Sequence, residues 1–321
     1  MVLTPQDPCG ADTAVTTNQG LSEMDHGRRA VATTSAMCQD SRWQDGLVDA
    51  ALALKRRDLE KILGGLGRAV VAYSGGVDSA LLAAESHAAL GRDALVVTAV
   101  SPSLARRERR AAADLAHRFG WNHLEIETKE LDRPEYARND PDRCYWCKTE
   151  LFEVLAPIAV AHDSAILVGT NTDDLGDHRP GLRAARERDV LAPLADAGLS
   201  KLDVRQLSAE RGLPTAAKPA SPCLASRFAY GVEVTLEGLE RIDRAEEIVR
   251  GFGFDELRVR DHGDLARIEV PADRVAELAT HRAELEAALK ELGFVYVTVD
   301  LTGFRSGALN EVLRPTFKGG R

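Results

Sequence analysis

Ser74-Gly75-Gly76-Val77-Asp78-Ser79 joins an apolar run, AVVAY, to a helical pattern that begins at Val77. Two adjacent glycines let the backbone turn tightly, so successive amide N–H groups can converge on one anion. The positive end of the following helix adds to that field. Ser74 and Ser79 supply hydroxyl donors, and Asp78 can hold a magnesium ion that neutralises phosphate charge. No lysine is present, so the loop is not G-x-x-x-x-G-K-[ST], and its spacing is not G-x-G-x-x-G. The pattern predicts a grip on nucleotide phosphates at the carboxyl end of a parallel strand, where such folds bind ligands. The plain alternative is a tight turn with no ligand.

Three cysteines form a second set. Cys144 and Cys147, in CYWCK (144–148), are three apart and share one face if they open a helix. That spacing suits a metal or an iron–sulfur cluster, and equally two small buried hydrophobes. Cys223 follows Pro222 and precedes Ser226 and Arg227. A nearby cation favours its thiolate, the reactive form; otherwise it is an inert cysteine between domains. Trp146 could stack on an adenine or a cationic ring, or pack in the core.

Other polar groups cluster by type. Asn171, Asp173, Asp174 and Asp177 follow an apolar strand, where carboxylates can position magnesium or pyrophosphate, or merely cap a helix. Arg179 adjoins them. Arg258 and Arg260 alternate with Leu257 and Val259, so both point to one strand face. With His262 and Arg267 they could bind a substrate phosphate, ordered by Glu269; solvated arginines are the other reading. Glu246 and Glu247 read as a solvated helix face. Arg106, Arg107, Arg109 and Arg110, interrupted by Glu108, read as a surface.

The elements that must carry these groups alternate. A helix at about 47–64 precedes a strand at 68–73 and a helix at 77–90. Then come the strand DALVVTAV, a helix through LARRERRAAADLAHRFG, the strand HLEIET, a helix around 147–161 and the strand AILVGT. VLAPLAD reads as a fifth strand, and KLDVRQLSAERG as a helix. Continuous apolar strands alternating with helices predict a parallel sheet covered on both faces. The later part has another pattern: a long helix, a hairpin around His262-Gly263-Asp264, a second long helix (RVAELATHRAELEAALKELG) and the strand FVYVTVDL. The expectation is an α/β domain over 46–217 and a smaller α+β domain over 218–321, joined through LPTAAKPASPC. Residues 1–45, rich in Thr, Ser, Gln and Asp, read as a mostly disordered extension in which Cys9 and Cys38 do no chemistry. Met24 and Met37 are alternative starts.

With 44% hydrophobic and 28% charged residues the chain is of an ordinary globular kind. A net charge of −9 argues against non-specific nucleic-acid binding. No apolar run approaches the roughly 20 residues a membrane span needs. The first 45 residues lack the apolar core of a secretory signal, so a cytoplasmic enzyme is expected. Five cysteines in a reducing compartment do not read as a disulfide framework.

The hexapeptide at 74–79 resembles the loop of PP-loop ATP pyrophosphatases, which cleave ATP between its α- and β-phosphates and adenylate a substrate oxygen. Together with GTNTDDLGDHRPG (169–181), CYWCK (144–148), KPASPCLASRF (218–228) and RVRDHGDLARIE (258–269), it resembles the LarE family of sulfur transferases, which make the pincer ligand of the nickel cofactor of lactate racemase. The resemblance covers nearly the whole chain from residue 46. It implies an adenine nucleotide alpha hydrolase-like fold, ATP, magnesium on Asp78 and Asp174, and a pyridinium mononucleotide substrate whose two carboxylates become thiocarboxylates. It implies Ser74, Gly75, Gly76, Val77, Asp78, Ser79, Asn171 and Asp174 at the nucleotide, with Thr98, Ala99 and Val100 near the adenine. It further implies Cys223 with Ser226 and Arg227 at the sulfur step, and Arg258, Arg260 and Arg267 at the substrate phosphate. The family has two kinds of member: one sacrifices the sulfur of a cysteine matching Cys223, the other holds a [4Fe–4S] cluster on three cysteines. This chain has Cys144, Cys147 and Cys223, which favours the cluster with sacrifice as the alternative. A homo-oligomer is implied, hexamers being known in the family.

The rivals are a tRNA thiolase, an amide-forming ligase resembling NAD or GMP synthetase, and a non-catalytic nucleotide binder. The acidic balance counts against the first, the motif cysteines against the second, and intact Ser74, Asp78 and Ser79 against the third.

Overall fold

Strands buried on both sides must be apolar at every position, and the first half of the molecule is built on such strands. The computed structural model describes residues 50–176 and 180–305. The expected extension with Cys9 and Cys38, and also Asp177 and Arg179, lie outside the described residues. β1 (Ala69–Ala72), β2 (Ala94–Val100), β3 (Asn122–Glu127) and β4 (Ala165–Val168) form one parallel sheet in the order β3-β2-β1-β4. Ala69 pairs with Ala94 on one side and with Ala165 on the other, so the carboxyl ends of β1, β2 and β4 share one edge.

Successive side chains point to opposite faces. Val71, Val96 and Leu167 pack against α1 (50–64), α2 (Val77–Leu90), α3 (Arg106–Arg118) and α8 (Lys201–Glu210) through Leu59, Leu81, Leu115 and Leu207. Val70, Leu95 and Val97 pack against Leu155 and Ala159 of α5 (Arg143–Ala161). Two short helices, α4 (Pro134–Ala137) and α6 (Pro180–Arg186), flank α5. Each fully buried leucine contributes about 1.5–3 kcal/mol.

The expected fifth strand is a single parallel bridge, Leu167 to Leu191. Pro193 has no N–H for a ladder, and the chain instead enters α7 (Pro193–Asp196).

The second half is a three-stranded mixed sheet, order β5-β6-β7. α9 (Leu236–Gly251) covers it, and β5 (Arg258–His262) and β6 (Leu265–Glu269) form the expected hairpin. β7 (Tyr296–Val299) pairs parallel to β6. The long helix read over 274–293 is broken into α10 (Val275–Thr280) and α11 (Arg282–Glu291). The Thr280 hydroxyl donates to the Glu277 carbonyl at 2.7 Å, competing for the acceptors that a continuous helix needs. Val259, Ile268, Val249, Leu278 and Leu289 form this half's core. From Leu52 onward the chain is one contact unit containing both sheets. The architecture is α/β with a smaller α+β part, as the alternation predicts.

A third apolar cluster lies beneath the cysteine loop. Tyr136, Leu224, Ala225, Phe228, Leu239 and Ile242 compose it, with Cys147, Cys223 and Trp146 packed against it.

Candidate active site

The hexapeptide loop stands where β1 ends and α2 begins, between β2 and β4. Strand order reverses there, which opens a crevice at the carboxyl edge. Gly75 has φ +73°, and a Cβ on it would lie 2.9 Å from the Ala112 Cβ. Glycine is therefore required both for the turn and for the close approach of α3. The Ser74 and Ser79 hydroxyls lie 3.2 Å apart, and the Ser74 N–H donates to Ser79 Oγ at 3.2 Å. The first-turn amides of α2 have no intrahelical acceptors, which leaves a nest of donors beside two hydroxyls.

Asp78 is the pivot of the loop. Its Oδ1 accepts from Asn171 Nδ2 at 3.0 Å, and its Oδ2 from Lys201 Nζ at 2.5 Å. The Asn171 backbone N–H donates to Asp174 Oδ2 at 3.1 Å, so Asp78 and Asp174 share Asn171. Asp173 accepts the Lys201 backbone N–H at 3.1 Å, seating the amino end of α8 against the segment after β4. Lys201 is not recognisable in the sequence, whose loop lacks a cation; the fold brings one from 123 positions away. Gly169 gives no sequence signal of its role either. A Cβ there would stand 2.8 Å from the Ser79 backbone nitrogen, so β4 touches the loop itself.

Thr98 is buried, and its hydroxyl pairs with His123 Nε2 at 2.8 Å, within the β2–β3 layer. Ala99 and Val100 are half-buried at the end of β2.

The cysteines come from two places. Cys144 and Cys147 lie in the first turns of α5, and Cys223 precedes a short helical turn at Leu224–Arg227. Cys144 is exposed; Cys147 and Cys223 are half-buried. Burial first, then Cys223, push the Cys147 thiol up to about 12, so a metal there would have to displace its proton. Arg143 is buried beside them, donating to the Ala225 carbonyl at 2.9 Å and to Asn139 Oδ1. Burial opposes its charge, but the fields of Cys223, Cys144 and nearby phenols outweigh that and raise its pKa. Among the described residues it has no carboxylate partner.

Thiols beside a buried cation that has no carboxylate partner among the described residues fit an anionic sulfur-rich group in donor chemistry. Among the described residues, no three His, Cys, Asp or Glu side chains close to metal-holding distance.

Arg227 proves to be a clasp. It is 2% exposed, and both ends of its fork meet Glu246, at 2.8 and 3.1 Å. Its third nitrogen donates to the carbonyls of Pro222 and Cys223 and to Ser226 Oγ. This corrects the reading of Glu246 as solvated: it is buried at the centre of the loop's anchorage. Burial raises its carboxyl, but Arg227, Arg250 and Arg258 outweigh burial and hold it below the usual glutamate range. Glu247 is the solvated member of the pair, bound to Arg250.

Arg260 is clamped by both oxygens of Glu269 at 2.9 Å and reaches the Ser226 carbonyl at 2.7 Å. Arg267 meets Glu269 at 3.1 Å and is partly exposed. Arg258 lies over the Phe304 ring at 4.9 Å and donates to the carbonyls of Leu257 and Ala220. Burial, then repulsion by Arg227, lowers its pKa to about 10. His262 is exposed at the hairpin. Trp146 donates to Asp142 at 3.3 Å and packs edge-on to Tyr145. The Arg106–Arg110 run is surface as expected, except that Glu108 within it binds Lys218 and Arg106 reaches the buried Asp243 of α9 at 2.6 Å.

No family model matches the chain. It is 45% identical over 265 residues to an uncharacterised protein of Synechocystis sp., covering 82% of this chain and 99% of that one. It is 38% identical over 266 residues to the pyridinium-3,5-bisthiocarboxylic acid mononucleotide synthase of Lactiplantibacillus plantarum, covering 82% of this chain and 96% of the relative. The chain belongs to the LarE family. A glutamine-hydrolysing GMP synthase component of Archaeoglobus fulgidus is 27% identical over 57% of this chain and 64% of its own length. That more distant match fits the PP-loop sheet seen here. The LarE-family matches of 265 and 266 residues are long enough to span both sheets. This LarE-family chain is an enzyme, and among its described residues no helix is long and apolar enough to cross a membrane.

Proposed function

We propose that this chain uses ATP to adenylate the two carboxylates of a pyridinium-3,5-biscarboxylic acid mononucleotide and replaces each AMP with sulfur. The product is the bisthiocarboxylic mononucleotide destined for the nickel-pincer cofactor of lactate racemase. The observation that carries this reading is the 38% identity to the named synthase over 96% of its length.

The residues divide the work. The amides of the 74–79 loop, with Ser74, Ser79 and Lys201, take the β- and γ-phosphates; Asp78 and Asp174 would hold magnesium through hard carboxylate oxygens. A substrate carboxylate oxygen attacks the α-phosphorus, the α–β bridge breaks, and pyrophosphate departs. The mixed anhydride has AMP as a leaving group, which the free carboxylate lacks. Sulfur then attacks the acyl carbon and AMP departs with the oxygen. Cys144, Cys147 and Cys223 would hold the iron–sulfur group, which supplies the sulfide when bound. Arg227 and Glu246 hold the Cys223 backbone in place, and Arg258 with partly exposed Arg267 meets the substrate phosphate. The proposal extends to a cytoplasmic homo-oligomer that uses no nucleic acid.

The test is pyrophosphate release from ATP that depends on the carboxylated pyridinium nucleotide, with iron and labile sulfide measured beside it. About four irons per chain, lost on Cys144→Ala, Cys147→Ala or Cys223→Ala, support the cluster. A colourless active protein whose Cys223 loses the mass of hydrogen sulfide on turnover supports sacrifice instead. Release driven by tRNA or by ammonia would overturn the substrate.

A further inference from the structure

The short segment 218–224 that carries Cys223 is fastened at both ends to the part of the molecule built on the parallel sheet. Lys218 Nζ donates to the Gly75 carbonyl at 2.9 Å and to Glu108 at 2.6 Å. Arg205 of α8 donates to the carbonyls of Ala216 and Lys218, fixing the backbone from which that lysine springs. At the other end the Leu224 N–H donates to the Ser103 carbonyl at 2.8 Å. Ser103 lies just beyond β2 and is set by Ser101, whose hydroxyl accepts its N–H at 2.9 Å. Both serines bond Glu130, a carboxylate only 1% exposed. Between these two fastenings stands Cys223.

We propose that Lys218 is a positioning residue that couples nucleotide occupancy of the 74–79 loop to the placement of the Cys223 thiol. The inference rests on the ATP reading above and adds a route by which the sulfur loop senses the nucleotide. Gly75 adopts a positive φ at the head of the loop, where a side chain would meet Ala112 of α3. Lys218 is therefore held against the carbonyl of the loop's own glycine. Phosphates entering the amide nest attract its ammonium and so hold Lys218 more firmly at the loop. The 219–222 span is short, so tightening at Lys218 restrains Cys223. By linkage the effect is reciprocal: whatever draws Cys223 away weakens nucleotide binding by the same factor.

The experiment measures alkylation of Cys223 by iodoacetamide in the full-length, chelator-treated protein under reducing conditions, read from the mass of its peptide. It is run with and without a magnesium–ATP analogue that resists cleavage, while calorimetry reports whether the analogue binds. Bound analogue is expected to slow Cys223 alkylation about fivefold in wild type, the lower end of ordinary coupling. Lys218→Met is expected to bind the analogue and lose the slowing; Lys218→Arg, which keeps the charge, is expected to retain it. Slowing that persists in Lys218→Met, or its absence in wild type with analogue bound, overturns the inference alone. Failure of wild type to bind the analogue overturns the ATP reading, and this inference with it.

Discussion

Lys201 and Asp78 meet across 123 positions of sequence, with Nζ 2.5 Å from Oδ2. The phosphate loop thus obtains from α8 the cation that its own six residues do not supply. Asn171 holds the other oxygen of the same carboxylate, so one acid joins three separate segments at the crevice.

Lys201→Ala is expected to lower the rate of substrate-dependent pyrophosphate release by about 100- to 1,000-fold, the range for removing one preorganised charge donor. Asp78→Ala is expected to do at least as much. Were Lys201→Ala as fast as wild type, the lysine would be only a counter-ion to Asp78.

Gly169→Ala tests the contact between β4 and the loop. Its added methyl would meet backbone atoms of Ser79 and Asp78 at 2.8 and 2.9 Å, which no side-chain movement can relieve. Overpacking of this kind costs about 1–3 kcal/mol. Urea unfolding is expected to show that loss, and calorimetry a weaker affinity for the ATP analogue.

The Arg227–Glu246 pair links stability to pH. Removing one partner of a buried pair costs about 3–5 kcal/mol, so Arg227→Met should be much less stable than the double variant Arg227→Met with Glu246→Met. Because the folded carboxyl lies below its ordinary value, the pair's contribution is complete above about pH 4.3 and is lost as pH falls through the lower folded value. Glu246→Gln should remove that part of the acid limb, measured by unfolding between pH 2 and 6.

Arg258 and Arg260 should separate by what their loss changes. Arg260 is saturated by Glu269 and the Ser226 carbonyl, so Arg260→Met is expected to cost stability. Arg258 has carbonyls and a ring for partners. Arg258→Met is expected to raise the KM for the mononucleotide by about 10- to 100-fold, the equivalent of one charge-assisted hydrogen bond of about 1.5–3 kcal/mol, with stability little changed.

What could be read in advance was contiguous. The 74–79 loop, the alternating strands and helices, and the hairpin at Gly263 each express their physics within a dozen residues. Lys201 does not, because its neighbours Ser200 and Asp203 announce only a capping box and the meeting with Asp78 is tertiary. Glu246 carries a signal that its charge obscures. It lies four residues after Ile242 and three before Val249, on the inward stripe of α9, where a carboxylate needs a buried partner. VLAPLAD reads as a strand because its apolar pattern masks the one residue, Pro193, that forbids a ladder.

Two of the three thiols share the first turns of α5, while the third stands on a loop that follows the sheet and α8 in the chain and packs against the same apolar cluster as Cys147. An ion sitting on the helix alone would have two sulfur partners and exchange readily. Under the proposed cluster, full retention would require the completed tertiary fold, and iron content would then distinguish finished molecules from partly matured ones in any preparation.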